Sequence, residues 1–552
     1  MRFIERLRGL PRSQAIAEQG EQPTWRRVVG RVVTVLAAVL VLAVLILPDR
    51  PGFGPGALLR IPIEVLVAVA LVLLLPARAG RIIAGVGGAL VGLLAVMKVL
   101  DIGFFSVLDR PFDPMGDWPF ITAGADYLSR SRGRTVEILA IIGAIVVAVG
   151  LLVVMTLAAV RLARVVKGHR TSAVRTVVVL GVVWVVAAAF GAPLADRSTS
   201  VDAYDHAAQV GFDIRDHSQF AAQMATDSFR DVPGSQLLTG LRGKDVVLAY
   251  VESYGRVALE DPQISPGVQA VLSAGYDKLR AAGFSAKTGW LTSSTYAGGS
   301  WLAHSTLESG VWVNSQQRFL DYAGSDRFNL DKAFSRAGWR TVDVEPANIG
   351  DAPGPKFDKV YDERDLGYRG QRFTFNSMPD QYTLGKLQSN ELSAPGHPPV
   401  FSRIVMLSSH APWAPVPQMS DWNNIGVGYE FKATPETAGA NWDLLSPDRN
   451  VVRTNYGRSV QYSLNTLISY VLTYGDDNLV LVFLGDHQPD SVVTGTTTNR
   501  DVPITIIAHD PKVLDRVSGW GWQDGIRPTA AAPVWRMDAF RNQFLTAFGT
   551  RT

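Results

Sequence analysis

Apolar residues are distributed so unevenly along this chain that it cannot fold as one water-soluble body. Before about residue 196, several windows approach the roughly 20 apolar residues that a membrane-crossing helix needs, while the remainder has the mixed composition of a globular domain. The 47% hydrophobic fraction over 552 residues is therefore a local excess. Five spans are expected, at Val32 to Leu47, Ile61 to Leu75, Ile82 to Val99, Val136 to Val160 and Thr176 to Leu194. The second carries Glu64 and follows Arg60, so it starts late or tilts. Basic residues orient the set. Arg2, Arg6, Arg8, Arg12, Arg26, Arg27 and Arg31 precede span one, Arg78 and Arg81 follow span two, and Arg161, Arg164, Lys167, Arg170 and Arg175 follow span four. With five spans these lie on one side, which the positive-inside rule makes cytoplasmic. The amino terminus is then cytoplasmic and everything beyond the last span is extracellular, in a multi-pass protein of the plasma membrane.

Three parts are expected: a transmembrane domain over 1–196, a juxtamembrane helix and linker over 197–240, and an extracellular domain over 241–552. The dyads Asp205-His206 and Asp216-His217 in the linker read as a solvated amphipathic connector, since neither follows a strand. A net charge of +3 argues against nucleic acid as a partner. The absence of cysteine excludes disulfides, thiolate metal sites and thiol nucleophiles.

Beyond Gly243 strands alternate with helices. Val246 to Val251, Ile404 to Leu407, Leu479 to Leu484 and Ile504 to Ala508 read as strands, and Ser265 to Ala282 and Ser300 to Ser309 as helices. The alternation predicts an α/β fold around a central, mostly parallel sheet. Chemistry-bearing residues stand where apolar runs stop. Glu252 follows one run and Asp486-His487 another, at strand carboxyl ends where open α/β folds place ligands. Their oxygen and nitrogen donors suit one divalent ion, Mn2+ or Zn2+, with Mg2+ or Ca2+ as alternatives. Ser300 follows Gly298-Gly299 at a predicted helix start, as a nucleophile and metal-bound hydroxyl or as a simple N-cap, with Thr295, Ser294 and Ser305 as competing hydroxyls. His410, just beyond a strand, is suited to binding a phosphoryl oxygen or protonating a leaving alcohol. His304, one turn after Ser300, either orients it or packs.

In the order Glu, hydroxyl, His, Asp-His, these motifs resemble the sulfatase and alkaline phosphatase superfamily. The membrane-anchored branch of lipoteichoic acid synthase-like phosphoglycerol transferases and phosphoethanolamine transferases is the nearest in plan. The resemblance implies a sulfatase-like extracellular domain, Glu252, Ser300, Asp486 and His487 as metal ligands, and Ser300 as nucleophile in place of the usual threonine. It further implies His410, His304 and Arg364 as substrate contacts, a membrane phospholipid donor and a cell-envelope glycan or lipid acceptor. Ser300-Trp301-Leu302-Ala303-His304 lacks the formylglycine signature of sulfatases, which moves the expected chemistry from sulfate to phosphate. Transfer of a phospholipid headgroup through a serine-bound intermediate is the leading expectation. Hydrolysis of an envelope ester and a catalytically silent envelope-assembly protein are the rivals.

Overall fold

The structure, a computed structural model, describes residues 24–46, 59–108, 110–118, 120–122, 124–125, 129, 133–192, 194–196, 198–348, 354–439 and 448–550. Arg2, Arg6, Arg8 and Arg12 of the orientation argument lie outside the described residues, as does the end of span one at Leu47. Two compact units divide the chain. One comprises most residues up to Val210, and the other comprises Gly211–Thr552 with Val107–Asp109 and Met115–Asp117.

The first unit contains helices α1 (Thr24–Ile46), α2 (Ile63–Leu74), α3 (Ala77–Leu108), α4 (Arg134–Gly168) and α5 (Arg170–Ala189). Among the described residues, α1, α3, α4 and α5 are long and apolar enough to cross a membrane. Only 6–22% of their most apolar windows is buried, so rows of Val, Leu and Ile lie exposed. Water would not tolerate such rows and lipid does, which makes this a membrane unit. At 12 residues, α2 reaches only about 18 Å and is held between Pro62 and Pro76. Four long helices and one short one therefore stand where five spans are expected. The basic loop expected after Val160 is also helical, because α4 runs on to Gly168 and α5 starts at Arg170. Two of its charges reach back to earlier segments: Arg161 donates to Gly30 O and to Thr34 Oγ1 at 3.0 Å, and Lys167 Nζ donates to Leu75 O at 2.7 Å. Long basic side chains can satisfy themselves in this way without breaking a helix.

The polar stretch after the last apolar helix forms α6 (Ser198–Ala225), in which Asp205 and His217 are exposed as expected while Asp216 is buried, and His206, Asp216 and His217 each have a partner. Asp216 is buried and takes both arms of Arg318, at 2.6 and 2.5 Å, while His217 Nδ1 lies 2.8 Å from Asp321. His206 Nε2 lies 3.1 Å from the buried Asp101.

Among the described residues, the second unit is built on a nine-stranded sheet. Its strands are β1 (Asp245–Val251), β2 (Ser285–Thr292), β3 (Arg340–Val344), β4 (Lys359–Tyr361), β5 (Val400–Met406), β6 (Leu479–Gly485), β7 (Asp501–Ala508), β8 (Gln523–Asp524) and β9 (Val534–Arg536). The order is β8-β2-β7-β6-β1-β5-β3-β4, with β9 beside β2. From β6 to β4 every pairing is parallel, but β7 runs antiparallel to β6 and to β2, and β8 antiparallel to β2, so the sheet is mixed. The connection explains the reversal. Between Gly485 and Asp501 the described chain has one four-residue helix, Ser491–Thr494, too little for the crossover a parallel neighbour requires. It stays at one sheet edge, and β7 starts from that edge. Pro503, expected to precede the last strand, lies within β7 just beyond the final β6 pairing at Leu484↔Ile504. There a missing N–H costs least.

Alternate residues of β1 enter opposite cores. Val247, Ala249 and Val251 join helices α7 (Ser265–Ala281) and α10 (Arg449–Tyr474), whereas Val246, Leu248 and Tyr250 join α8 (Ser300–Ser309), α9 (Leu330–Ala337) and α11 (Ala539–Phe548). A sheet covered on both faces explains why its central strands read as unbroken apolar runs.

Candidate metal centre and its serine

β1 and β6 are parallel neighbours in a register that pairs Val251 with Gly485, so the next residues, Glu252 and Asp486, emerge side by side at the carboxyl edge. Gly485 permits the approach, because a Cβ there would lie 1.8 Å from Tyr254 O. Glu252, Asp486 and His487 are buried, with one donor atom from each within 4.8 Å of the others. Asp486 Oδ1 accepts the N–H groups of Ser253 (2.8 Å) and His487 (2.7 Å), which fixes the carboxylate plane. His487 Nδ1 lies 2.8 Å from Gln488 O, a contact that places its hydrogen there and leaves Nε2 facing the carboxylates. Nε2 stands 3.3 Å from Glu252 and 3.6 Å from Asp486 Oδ2.

Ser300 enters from α8. The preceding Gly299 has φ 73°, a left-handed turn that glycine adopts freely, and Ser300 is the first helical residue. Its hydroxyl does not cap its own helix. Oγ donates to Glu252 Oε2 at 2.9 Å and lies 3.1 Å from His487 Nε2. Two of the rival hydroxyls are engaged elsewhere, with Thr295 donating to Gly298 O and Ser294 accepting from Thr306.

Electrostatics show what the cluster lacks. Burial works to raise the Glu252 carboxyl, but His487, His410 and the surrounding hydrogen bonds hold it down at about 2. Asp486 is pushed up to about 7 by burial and by the Glu252 charge beside it. Burial opposes a charge on His487, yet the two carboxylates raise it. Two carboxylates and one imidazole thus compete for protons in a space closed to water. Asp486 Oδ2 is buried with no hydrogen-bond partner, and a cation would satisfy it. The donor set fits a divalent metal ion.

The remaining expected residues fall in different places. His410 follows β5 on a loop whose Ser409 donates to Glu252 O at 2.6 Å, and a charge on its ring acts to lower the Glu252 carboxyl. Its Nδ1 lies 2.7 Å from Ala411 O, and its ring lies against Phe375. His304 is buried rather than open to a substrate. It stacks on Tyr250 at 3.9 Å and sits 4.0 Å from Asp486 Oδ2, and burial and the nearby Arg403 hold it well below the ordinary histidine range. Arg364 is exposed on the short helix Glu363–Leu366, where its N–H is bonded to Asp362, and no described contact joins it to the cluster. Sequence reasoning missed Ser253, Gln488, Ser409 and Phe375. The first three act largely through backbone geometry beside a motif, and adjacency to that motif was the available signal.

No family model and no curated protein matches the chain. Among solved structures it is similar to a lipoteichoic acid synthase from Listeria monocytogenes, at 16% identity over 59% of this chain and 76% of that one, with a TM-score of 0.36. It is also similar to a phosphoglycerol transferase from Streptococcus pyogenes in complex with sn-glycerol-1-phosphate, at 17% identity over 60% and 79%, with a TM-score of 0.35. The integral membrane lipooligosaccharide phosphoethanolamine transferase A from Neisseria meningitidis shares 12% identity over 94% of this chain and 95% of that one, with a TM-score of 0.40.

Proposed function

We propose that this protein transfers the headgroup of a membrane phospholipid to a cell-envelope acceptor through a phosphoserine at Ser300. The observation that carries the reading is the Ser300 hydroxyl, held 2.9 Å from Glu252 and 3.1 Å from His487 instead of capping its helix. Ser300 Oγ forms a bond to the headgroup phosphorus, and the bond from phosphorus to the diacylglycerol oxygen breaks. Glu252 Oε2 accepts the serine hydrogen bond before attack, and the serine proton is lost to solvent, more easily with a divalent ion bound. His410 gives a proton to the departing alkoxide and takes one back from the acceptor hydroxyl, or from water, in the second step. The free N–H groups at the start of α8 favour the phosphoryl oxygens. Glu252, Asp486 and His487, with Ser300, would hold a divalent ion, Mn2+ or Zn2+ by donor type, which when bound supplies Lewis-acid stabilisation of phosphoryl charge. A membrane anchor suits a lipid donor because it confines the site near its substrate. In this reading the amino terminus is cytoplasmic and the catalytic unit extracellular.

The test offers purified full-length protein labelled phosphatidylglycerol, phosphatidylethanolamine and an aryl sulfate, with and without added divalent metal. Metal-dependent release of diacylglycerol and a label trapped on Ser300 are expected, with Ser300→Thr active. Full turnover by Ser300→Ala would rule this nucleophile out.

A further inference from the structure

Phe375 is placed at a cost. Its backbone is left-handed, with φ 49° and ψ 30°, and the residue is 54% exposed. An aromatic residue is strained in that conformation, and an exposed ring recovers little from burial. Neighbouring bonds impose the arrangement. Phe373 N–H donates to Ser377 O and Ser377 N–H to Thr374 O, each at 2.9 Å, while the buried Thr374 hydroxyl donates to Leu407 O at 3.0 Å. A reciprocal pair fastens the two loops further: Asp380 N–H donates to Ser408 Oγ at 3.0 Å, and Ser408 N–H to Asp380 Oδ1 at 2.9 Å. The turn carrying Phe375 is thus fixed to the loop carrying His410. The product is one contact, the Phe375 ring over the His410 imidazole, with centroids 4.2 Å apart and planes 30° apart. Strain that persists because its surroundings over-determine it collects at functional sites.

His410 can rotate about its side-chain bonds unless something stops it. The Nδ1 contact with Ala411 O holds one ring nitrogen, and the stack holds the ring plane. Together they leave Nε2 as the nitrogen available for proton transfer.

We propose that Phe375 is a positioning residue: its ring fixes the His410 imidazole so that Nε2 delivers a proton to the alkoxide leaving group of a phosphodiester. The inference rests on the proposed function for the identity of the reaction, and on geometry alone for the stack. It makes a prediction that a merely structural aromatic does not. A lipid donor leaves as an alkoxide and needs the proton, whereas a nitrophenyl ester leaves as a stable anion and does not.

The test uses the full-length, metal-loaded protein. Phe375→Ala should lower kcat for phosphatidylglycerol on the order of 10-fold with KM within about 3-fold, and change kcat for a nitrophenyl phosphodiester by less than about 2-fold. Phe375→Trp should restore the lipid rate. In a His410→Asn background, Phe375→Ala should cost nothing further, since both changes remove one function. A second measurement needs no activity: carbethoxylation of His410 by diethyl pyrocarbonate, followed by peptide mass, should quicken severalfold in Phe375→Ala and not in Phe375→Trp. Equal losses on both substrates, additive losses with His410→Asn, or an unchanged carbethoxylation rate would overturn the assignment. If the wild-type protein turned over neither ester, the proposed function would fail while the carbethoxylation rates still judged the stack.

Discussion

The membrane unit and the sheet-based unit solve one packing problem by opposite means. In the membrane unit, α3 meets α4 where side chains are missing. A Cβ on Gly88 would come within 2.7 Å of Met155 O, and one on Gly92 within 2.8 Å of Leu152 Cα, so backbone lies nearly on backbone while large apolar side chains point outward. In the other unit the space between elements is filled. Phe334, fully buried, stacks on Phe401 with centroids 4.0 Å apart and planes 4° apart. The surrounding solvent accounts for the difference. Lipid gives an apolar side chain no reason to leave it, so close backbone approach must bring helices together, whereas water drives volume inward. The carboxyl edge of the sheet departs from both rules, because charge is buried there without enough opposite charge to match it.

The largest expected effects lie at that edge. Asp486→Asn keeps the shape and the acceptor for the Ser253 and His487 N–H groups but removes the charge. Turnover should fall on the order of 1,000-fold or more, and metal content measured by mass spectrometry should fall with it. Melting of the metal-free protein should move the other way, up by a few degrees at neutral pH, since Asp486 no longer faces the Glu252 charge. A variant less stable in both metal-loaded and metal-free form would make the cluster structural.

Next come the two packing modes. Phe334→Ala should cost about 3–5 kcal/mol in denaturant unfolding of the sheet-based unit, whereas Val147→Ala in α4, 57% exposed among apolar neighbours, should cost well under 1 kcal/mol in bilayers. Gly88→Leu inverts the comparison. Adding bulk to the membrane unit should destabilise it by about 1–3 kcal/mol, read as lost resistance to detergent or heat. Tolerance of Gly88→Leu together with intolerance of Val147→Ala would mean that the membrane unit is held by volume after all.

Legibility in the sequence divides along similar lines. The strands ending at Val251 and Gly485 could be read because unbroken apolar runs have few other uses, and α8 could be read to its last residue because Gly310 stops it at φ 67°. Glu252 and Asp486 stand one residue past such a strand end, His487 follows Asp486, and Ser300 opens α8, so the four meet at readable boundaries. What failed depends on partners distant in sequence or on connections. Asp216 reads as solvated until Arg318, 102 residues away, is seen to hold it. The direction of β7 depends on a connection too short to cross the sheet. Arg161 and Lys167 read as a loop because acceptors in distant segments, Gly30 O, Thr34 Oγ1 and Leu75 O, are invisible in one segment. Phe375 gave no signal, since neither its left-handed backbone nor the ring it covers is encoded locally.

The smallest effect lies at another buried carboxyl of the sheet-based unit, where buried charge again departs from the filling rule. Asp331, in the first turn of α9, is 2% exposed, and its Oδ1 has no hydrogen-bond partner. Burial, and then the charge of Glu308, push its carboxyl from an ordinary 3.8 up to about 7. The folded protein therefore holds this proton more tightly than the unfolded chain does. Between about pH 4 and pH 7 the folded form binds more protons at this site, so its contribution to stability falls as pH rises through that window and is flat above it. Asp331→Asn removes the titration and keeps the size. Near pH 4 wild type and variant should melt within about a degree of each other, because the carboxyl is then protonated in the folded form and in much of the unfolded chain. By pH 8 the variant should melt a few degrees higher, less a few tenths of a kcal/mol for the lost acidic residue at the helix start. Parallel Tm profiles for the two proteins from pH 4 to pH 8 would show that the carboxylate finds a partner when it ionises, and that this part of the unit follows the filling rule after all.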